Sequence, residues 1–170
     1  MKKLISLIAL TVVCMGCALA HDGGRGNVSL EVSGGKVSVE YGRPALKGRD
    51  IESMIKPGQE WRMGADTATT LSTDVALKFG DKTIQPGKYI LKAKLVASQE
   101  WMLIVQAEDK STAAEAPLKY QKVETPAEML TIKLEKSASG GSFILIGVTS
   151  LSRQSFKKPD PPEHGFAQSK

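Results

Sequence analysis

Two short stretches hold most of the residues whose types and spacing point to chemistry. Tyr41-Gly42-Arg43-Pro44-Ala45-Leu46-Lys47-Gly48-Arg49 places three cations within seven residues. Glu60-Trp61-Arg62-Met63-Gly64-Ala65-Asp66 adds a fourth cation beside an indole. Guanidinium groups meet carboxylate and phosphate oxygens in paired hydrogen bonds. An indole offers a flat stacking face for a sugar ring or a cation. If the two stretches face each other, Tyr41, Arg43, Lys47, Arg49, Trp61, Arg62 and Asp66 form one candidate ligand-binding unit. The alternative is internal bracing. The arginines then pair with Asp50, Glu52, Glu60 and Asp66 and with loop carbonyls, and Trp61 joins the core.

Other chemistry is thin. The chain has two histidines, His21 and His164, so a serine nucleophile has no base placed beside it. No catalytic residue is assigned and no cofactor is expected. Asp66 and Asp74 are one of many carboxylate pairs and carry no weight as a glycosidase dyad. Met54, Met63 and Met102 are scattered and read as core filler. One remote metal reading remains. Cleavage after Ala20 would free the amine and imidazole of His21 for copper, with His164 as the one further histidine.

The N-terminus sets the expected compartment. Lys2 and Lys3 precede an apolar run from Leu4 to Val13, and Gly16, Ala18 and Ala20 follow. Charge, a short apolar core and Ala-x-Ala form the signal-peptidase pattern over residues 1–20. The run is shorter than the ~20 apolar residues of a membrane span. Cys14-Met15-Gly16-Cys17 also reads as a degenerate lipobox, with Cys17 lipidated and the domain tethered to a membrane. The expected location is therefore periplasmic or secreted, alternatively lipid-anchored. Both cysteines lie in this segment, so cleavage after Ala20 leaves a domain without disulfides that its core alone must hold. Without Lys2 and Lys3 the excess of basic over acidic residues falls from five to three. That small, dispersed excess excludes nucleic acid as the expected partner.

The elements that must position these residues read as β. Val28, Leu30 and Val32 alternate with polar residues, as do Val37, Val39 and Tyr41. A two-residue turn at Gly34-Gly35 pairs Val32 with Val37 and puts all six on one face. Residues 42–68 break the alternation apart from Ile51–Ile55, which suits a helical turn, and so long an irregular segment is often functional. Val75, Leu77 and Phe79 mark a strand, then Gly80-Asp81 and Pro86-Gly87 mark turns. Tyr89, Leu91, Ala93 and Leu95 mark the next strand. Trp101–Val105 is apolar on both faces and therefore central. Residues 107–127 read as a connection, Leu130–Leu134 and Phe143–Val148 as strands, and residues 153–170 as a disordered tail. The expectation is an all-β, single β-sandwich-like domain over residues 27–152. It has about eight antiparallel strands and one long irregular loop.

The same two stretches resemble a bacterial exported family, domain-of-unknown-function family 2911. Tyr41-x-Arg43-Pro44-x-x-Lys47-Gly48-Arg49 and Trp61-Arg62-x-Gly64-Ala65, followed by Thr69 or Thr70, are similar to its hallmarks. Pro86-Gly87-x-Tyr89-x-Leu91 and Trp101 are similar to its next landmarks, so the likeness spans roughly residues 37–152. The chain departs at Asp66, where the family usually has Asn, at Pro86, where Ala is frequent, and at Ile146, where Trp is usual. The resemblance implies an exported, β-rich protein in which Arg43, Lys47, Arg49, Trp61 and Arg62 belong to one unit. Two functional readings lead, and an enzyme comes third. One is a non-enzymatic module binding a small anionic or sugar-like ligand through the basic loop. The other is an envelope-associated interaction protein in which that loop only braces. The oligomeric state is left open.

Overall fold

In the computed structural model, alternation of apolar and polar residues becomes twelve strands and one helical turn among the described residues. The structure describes residues 24–159, apart from residues 33, 126, 138–139 and 148–149. The strands are β1 (Arg25–Val32), β2 (Gly35–Gly42), β3 (Glu60–Trp61), β4 (Thr69–Thr73), β5 (Leu77–Phe79) and β6 (Lys82–Ile84). They continue as β7 (Gly87–Ala97), β8 (Glu100–Gln106), β9 (Thr112–Lys122), β10 (Thr131–Ser137), β11 (Gly140–Ile146) and β12 (Ser150–Lys157). The turn α1 spans Ile51–Met54. The antiparallel all-β expectation holds, with twelve strands in place of about eight.

The sandwich resolves into one continuous sheet in the order β1-β2-β4-β7-β8-β9-β12-β11-β10. Its end strands, β1 and β10, come alongside each other without a ladder between them. The result is a nearly closed barrel with one seam. Tyr41 staples that seam. Its ring lies under Gly26 of β1, where a Cβ would fall 2.6 Å from it. Its hydroxyl then donates to the Ile132 carbonyl of β10 at 3.3 Å.

Inward positions follow the two-residue period of a strand. Val37, Val39 and Tyr41 of β2 face the core, as do Leu91, Ala93 and Leu95 of β7 and Leu103 and Val105 of β8. Ile104 and Ile144 point outward yet are buried. Ile104 stands between Lys92 and Glu115, and Ile144 between Lys133 and Arg153. Long charged side chains cover such positions with their aliphatic stems.

Several boundaries differ from the sequence expectation. The first hairpin pairs Val32 with Gly35 and Leu30 with Val37, so its turn lies one residue earlier, with Gly34 at φ 93°. This changes the partners by two residues and preserves the face, because a strand repeats every two. Part of the expected connection at 107–127 is β9, and β12 carries regular structure through Lys157, five residues into the expected tail. Residues 1–23 and 160–170 lie outside the described residues, and with them the cleavage, lipidation and copper expectations.

Both barrel ends are filled by local structure. At one end the β5–β6 hairpin inserts Leu77, Phe79 and Ile84, with Phe79 packed on Phe156 of β12 at 5.6 Å. At the other, residues 43–59 cross the opening and bury Leu46, Ile51 and Ile55.

Candidate functional site

The two sequence motifs meet backbone to backbone. Gly42, at the end of β2, lies against Ala65, and a Cβ there would drive into the Ala65 peptide. Only glycine permits that approach. The second motif reaches it by a tight turn. Met63 is wholly buried in the left-handed region at φ 55°, and Thr69 caps it by donating its hydroxyl to the Met63 carbonyl at 2.9 Å. A left-handed non-glycine residue costs about 1–2 kcal/mol, which burial of the Met63 side chain and the Thr69 hydrogen bond offset.

The structure gives the candidate residues different jobs. Tyr41 is the buried seam staple. Arg49 folds back on its own turn, donating Nε to the Leu46 carbonyl and Nη2 to the Ala45 carbonyl, both at 3.2 Å. Arg62 donates Nη1 to the backbone carbonyl of Asp66 at 3.0 Å. Asp66 itself is exposed, at φ 63°. Trp61 packs edge-on against Trp101 with ring centres 6.3 Å apart. Lys47 is exposed at φ 49° on the tip of the first turn. The bracing bonds therefore run to carbonyls. The nearby carboxylates are engaged elsewhere: Glu60 pairs with Lys92 at 3.0 Å, and Glu52 accepts from Ser98 Oγ and the Gln99 N–H.

Arg43 stands apart. It continues the inward parity of Val37, Val39 and Tyr41 to the mouth of the barrel, and its Cδ packs beside Gly26. Its backbone N–H donates to the Gly24 carbonyl at 3.0 Å. Its Nε is buried and has no hydrogen-bond partner. A second cation borders it on β1. Arg25 faces outward, bonds to Thr67 Oγ1 and pairs with Glu40 at 3.7 Å.

Beyond Arg43 the covering segment is tied down at both ends. Ala45 bridges to Met129, with Leu46 N–H to Glu128 O and Leu130 N–H to Pro44 O. At the far end, Gly58 N–H donates to Leu95 O at 2.7 Å and Leu95 N–H to Gln59 O at 3.3 Å. Under α1 lies a narrow cleft lined by Ile51, Trp61, Trp101, Leu145, Gly147 and Ser152, with room for about one water. Tyr120 lies close to this cover. Burial and then the charges of Glu52 and Asp50 push its hydroxyl above the ordinary tyrosine range.

The sequence does not reveal Tyr120 or Ser152 as members of this region, because they come from strands with weak alternation. It places Glu52 in the loop as a partner of the arginines, whereas Glu52 accepts from Ser98 and Gln99. Among the described residues, no three His, Cys, Asp or Glu side chains lie close enough to hold a metal ion.

Fold and site together define a class: a nearly closed antiparallel barrel whose mouth is covered by a segment carrying two interlocked motifs. A family model described as a protein of unknown function, DUF2911, matches residues 24–146. The chain belongs to that family. No curated protein and no solved structure matches it.

Proposed function

We propose that this protein is a non-enzymatic binding module acting outside the cytoplasm, and that Arg43 receives a carboxylate or phosphate group of a small ligand at the covered mouth of the barrel. The observation that carries this reading is the buried, unpartnered Nε of Arg43. A buried donor without an acceptor costs about 1–3 kcal/mol, and more when charged. An oxyanion bridging Nε and the neighbouring Nη would remove that cost through two parallel hydrogen bonds. The placement outside the cytoplasm rests on the signal-like sequence of residues 1–20.

The second reading, bracing within an envelope interaction protein, is favoured by Arg49 and Arg62, which both bond to carbonyls of their own loops. Thermal unfolding with phosphate, succinate and galacturonate separates the two. Under the binding reading, one of these anions raises the melting temperature of the wild type. Arg43→Lys, which keeps the charge and loses the fork, abolishes that rise. Arg49→Ala lowers the baseline melting temperature and leaves the rise intact. No rise with any of the three, or a rise that survives Arg43→Lys, leaves bracing as the function of the loop.

A further inference from the structure

The segment from Lys47 to Pro57 is stitched mainly to itself. Arg49 bonds to Leu46 and Ala45, Ser53 Oγ donates to the Asp50 carbonyl, Ile55 N–H to Glu52 O, and Lys56 N–H to Gln59 Oε1. Every one of these partners lies within four residues. Glycines in the left-handed region stand at both margins, Gly48 at φ 72° and Gly58 at φ 87°. The hydrogen bonds described between this flap and the barrel wall converge on one side chain. Glu52 Oε1 accepts from Ser98 Oγ and from Gln99 N–H, each at 2.9 Å, in the turn between β7 and β8. Gln99 is itself left-handed, at φ 64°. The remaining attachment is apolar, through Ile51 and Ile55.

What the flap covers has a defined chemistry. The cleft beneath α1 has aromatic and aliphatic walls from Trp61, Trp101 and Leu145, with Ile51 as its roof. Ser152 supplies the polar side chain among its lining residues. Ser152 is 5% exposed, and no described residue hydrogen-bonds its hydroxyl. An apolar cleft with one hydroxyl suits a small flat ring carrying a single hydrogen-bonding group.

We propose that residues 47–57 form a flap latched by Glu52, and that lifting it opens a binding cleft for a small neutral aromatic alcohol or phenol, whose ring packs on Trp61 and Trp101 and whose hydroxyl bonds Ser152. This site is distinct from the Arg43 seat and stands without it. When the flap lifts, the ring takes the place of Ile51 against the two indoles. Binding therefore pays the cost of opening, and weakening the latch strengthens binding by the same factor.

The chain has two tryptophans, both in this cleft, so their emission reports on it directly. The experiment measures acrylamide quenching, amide exchange of residues 47–57, and saturation-transfer NMR with benzyl alcohol as the probe. Glu52→Ala is expected to raise tryptophan quenching and to speed flap exchange about three- to tenfold, with core exchange unchanged. The same variant is expected to bind benzyl alcohol more tightly by a similar factor. Ser98→Ala, a surface change that tests the latch from the opposite side, shifts the same readouts in the same direction by less. Ser152→Ala weakens benzyl alcohol binding, and Arg43→Lys leaves it unchanged. Flap exchange and quenching that match the wild type in both Glu52→Ala and Ser98→Ala overturn the latch. No saturation transfer from the latch variants to benzyl alcohol, with far-ultraviolet circular dichroism showing them folded, overturns the cleft. Loss of benzyl alcohol binding in Arg43→Lys overturns the separation of the two sites.

Discussion

At the scale of single residues, the basic loop divides its cations between two kinds of work. Arg49 and Arg62 spend their donors on carbonyls one turn away, while Arg43 keeps a buried N–H without an acceptor. Cation spacing alone does not reveal this division. It depends on which side chain continues the inward parity of β2, and only Arg43 does. Tyr120 gives a second residue-scale test. Its raised hydroxyl pKa means that the folded protein holds the proton more tightly than the unfolded chain, whose tyrosine titrates near pH ~10. The stability linked to Tyr120 is therefore fully present below that pH and is lost as pH rises through the raised folded value. Denaturant unfolding at a series of alkaline pH values is expected to show this loss in the wild type. Tyr120→Phe removes the contribution, and Glu52→Gln, which removes a negative charge near the hydroxyl, reduces it.

At the scale of elements, what could be read from sequence tracks how apolar the inward side chains are. Strands β7 and β8 were legible because Leu91, Leu95, Trp101 and Leu103 are large. Strand β4 was not, because two of its three inward residues are Thr69 and Thr73, which are buried with their hydroxyls on the carbonyls of Met63 and Val75. In β9 the inward residues include Ala114 and Ala116, too small to stand out, and Pro117 argues for a loop. That proline lies outside Lys119–Lys122, the part of β9 that β12 pairs, so on that side it interrupts no ladder. Strand β12 alternates Ser152, Gln154 and Phe156, with one large apolar residue among them. Yet β12 lies between β9 and β11 and joins them. The family match ends at residue 146, before this strand begins. A chain ending at Gly147 is therefore expected to lack cooperative thermal unfolding, and a chain ending at Pro159 to retain it. Melting followed by circular dichroism checks both.

At the scale of the whole molecule, the seam is the weak line of the barrel. Strands β1 and β10 run side by side without a ladder, and the Tyr41 staple crosses between them. Gly26→Ala places a methyl group where the Tyr41 ring and the Arg43 Cδ now sit. The expected cost is about 1–3 kcal/mol, as for other overpacked sites. Hydrogen exchange is expected to rise first in β1 and β10 and least in β7 and β8, which are laddered on both edges. Equal acceleration in all four strands would mean that the seam does not open as a separate event. The motif crossing at Gly42 and Ala65 sits beside this seam. Part of what the two sequence motifs specify is therefore closure of the barrel, independently of any ligand.

The position of β12 also sets an order in time. A ribosome makes β1 before β12, and β12 is the last strand among the described residues. Until it emerges, β1-β2-β4-β7-β8-β9 and β10-β11 are two pieces with no ladder between them. The barrel cannot close before β12 is available, however slowly the chain is made. It closes only after synthesis has passed β12, in a single event that brings residues far apart in sequence together. A protein wired this way stays open to whatever handles it until β12 arrives, and commits to its shape only then.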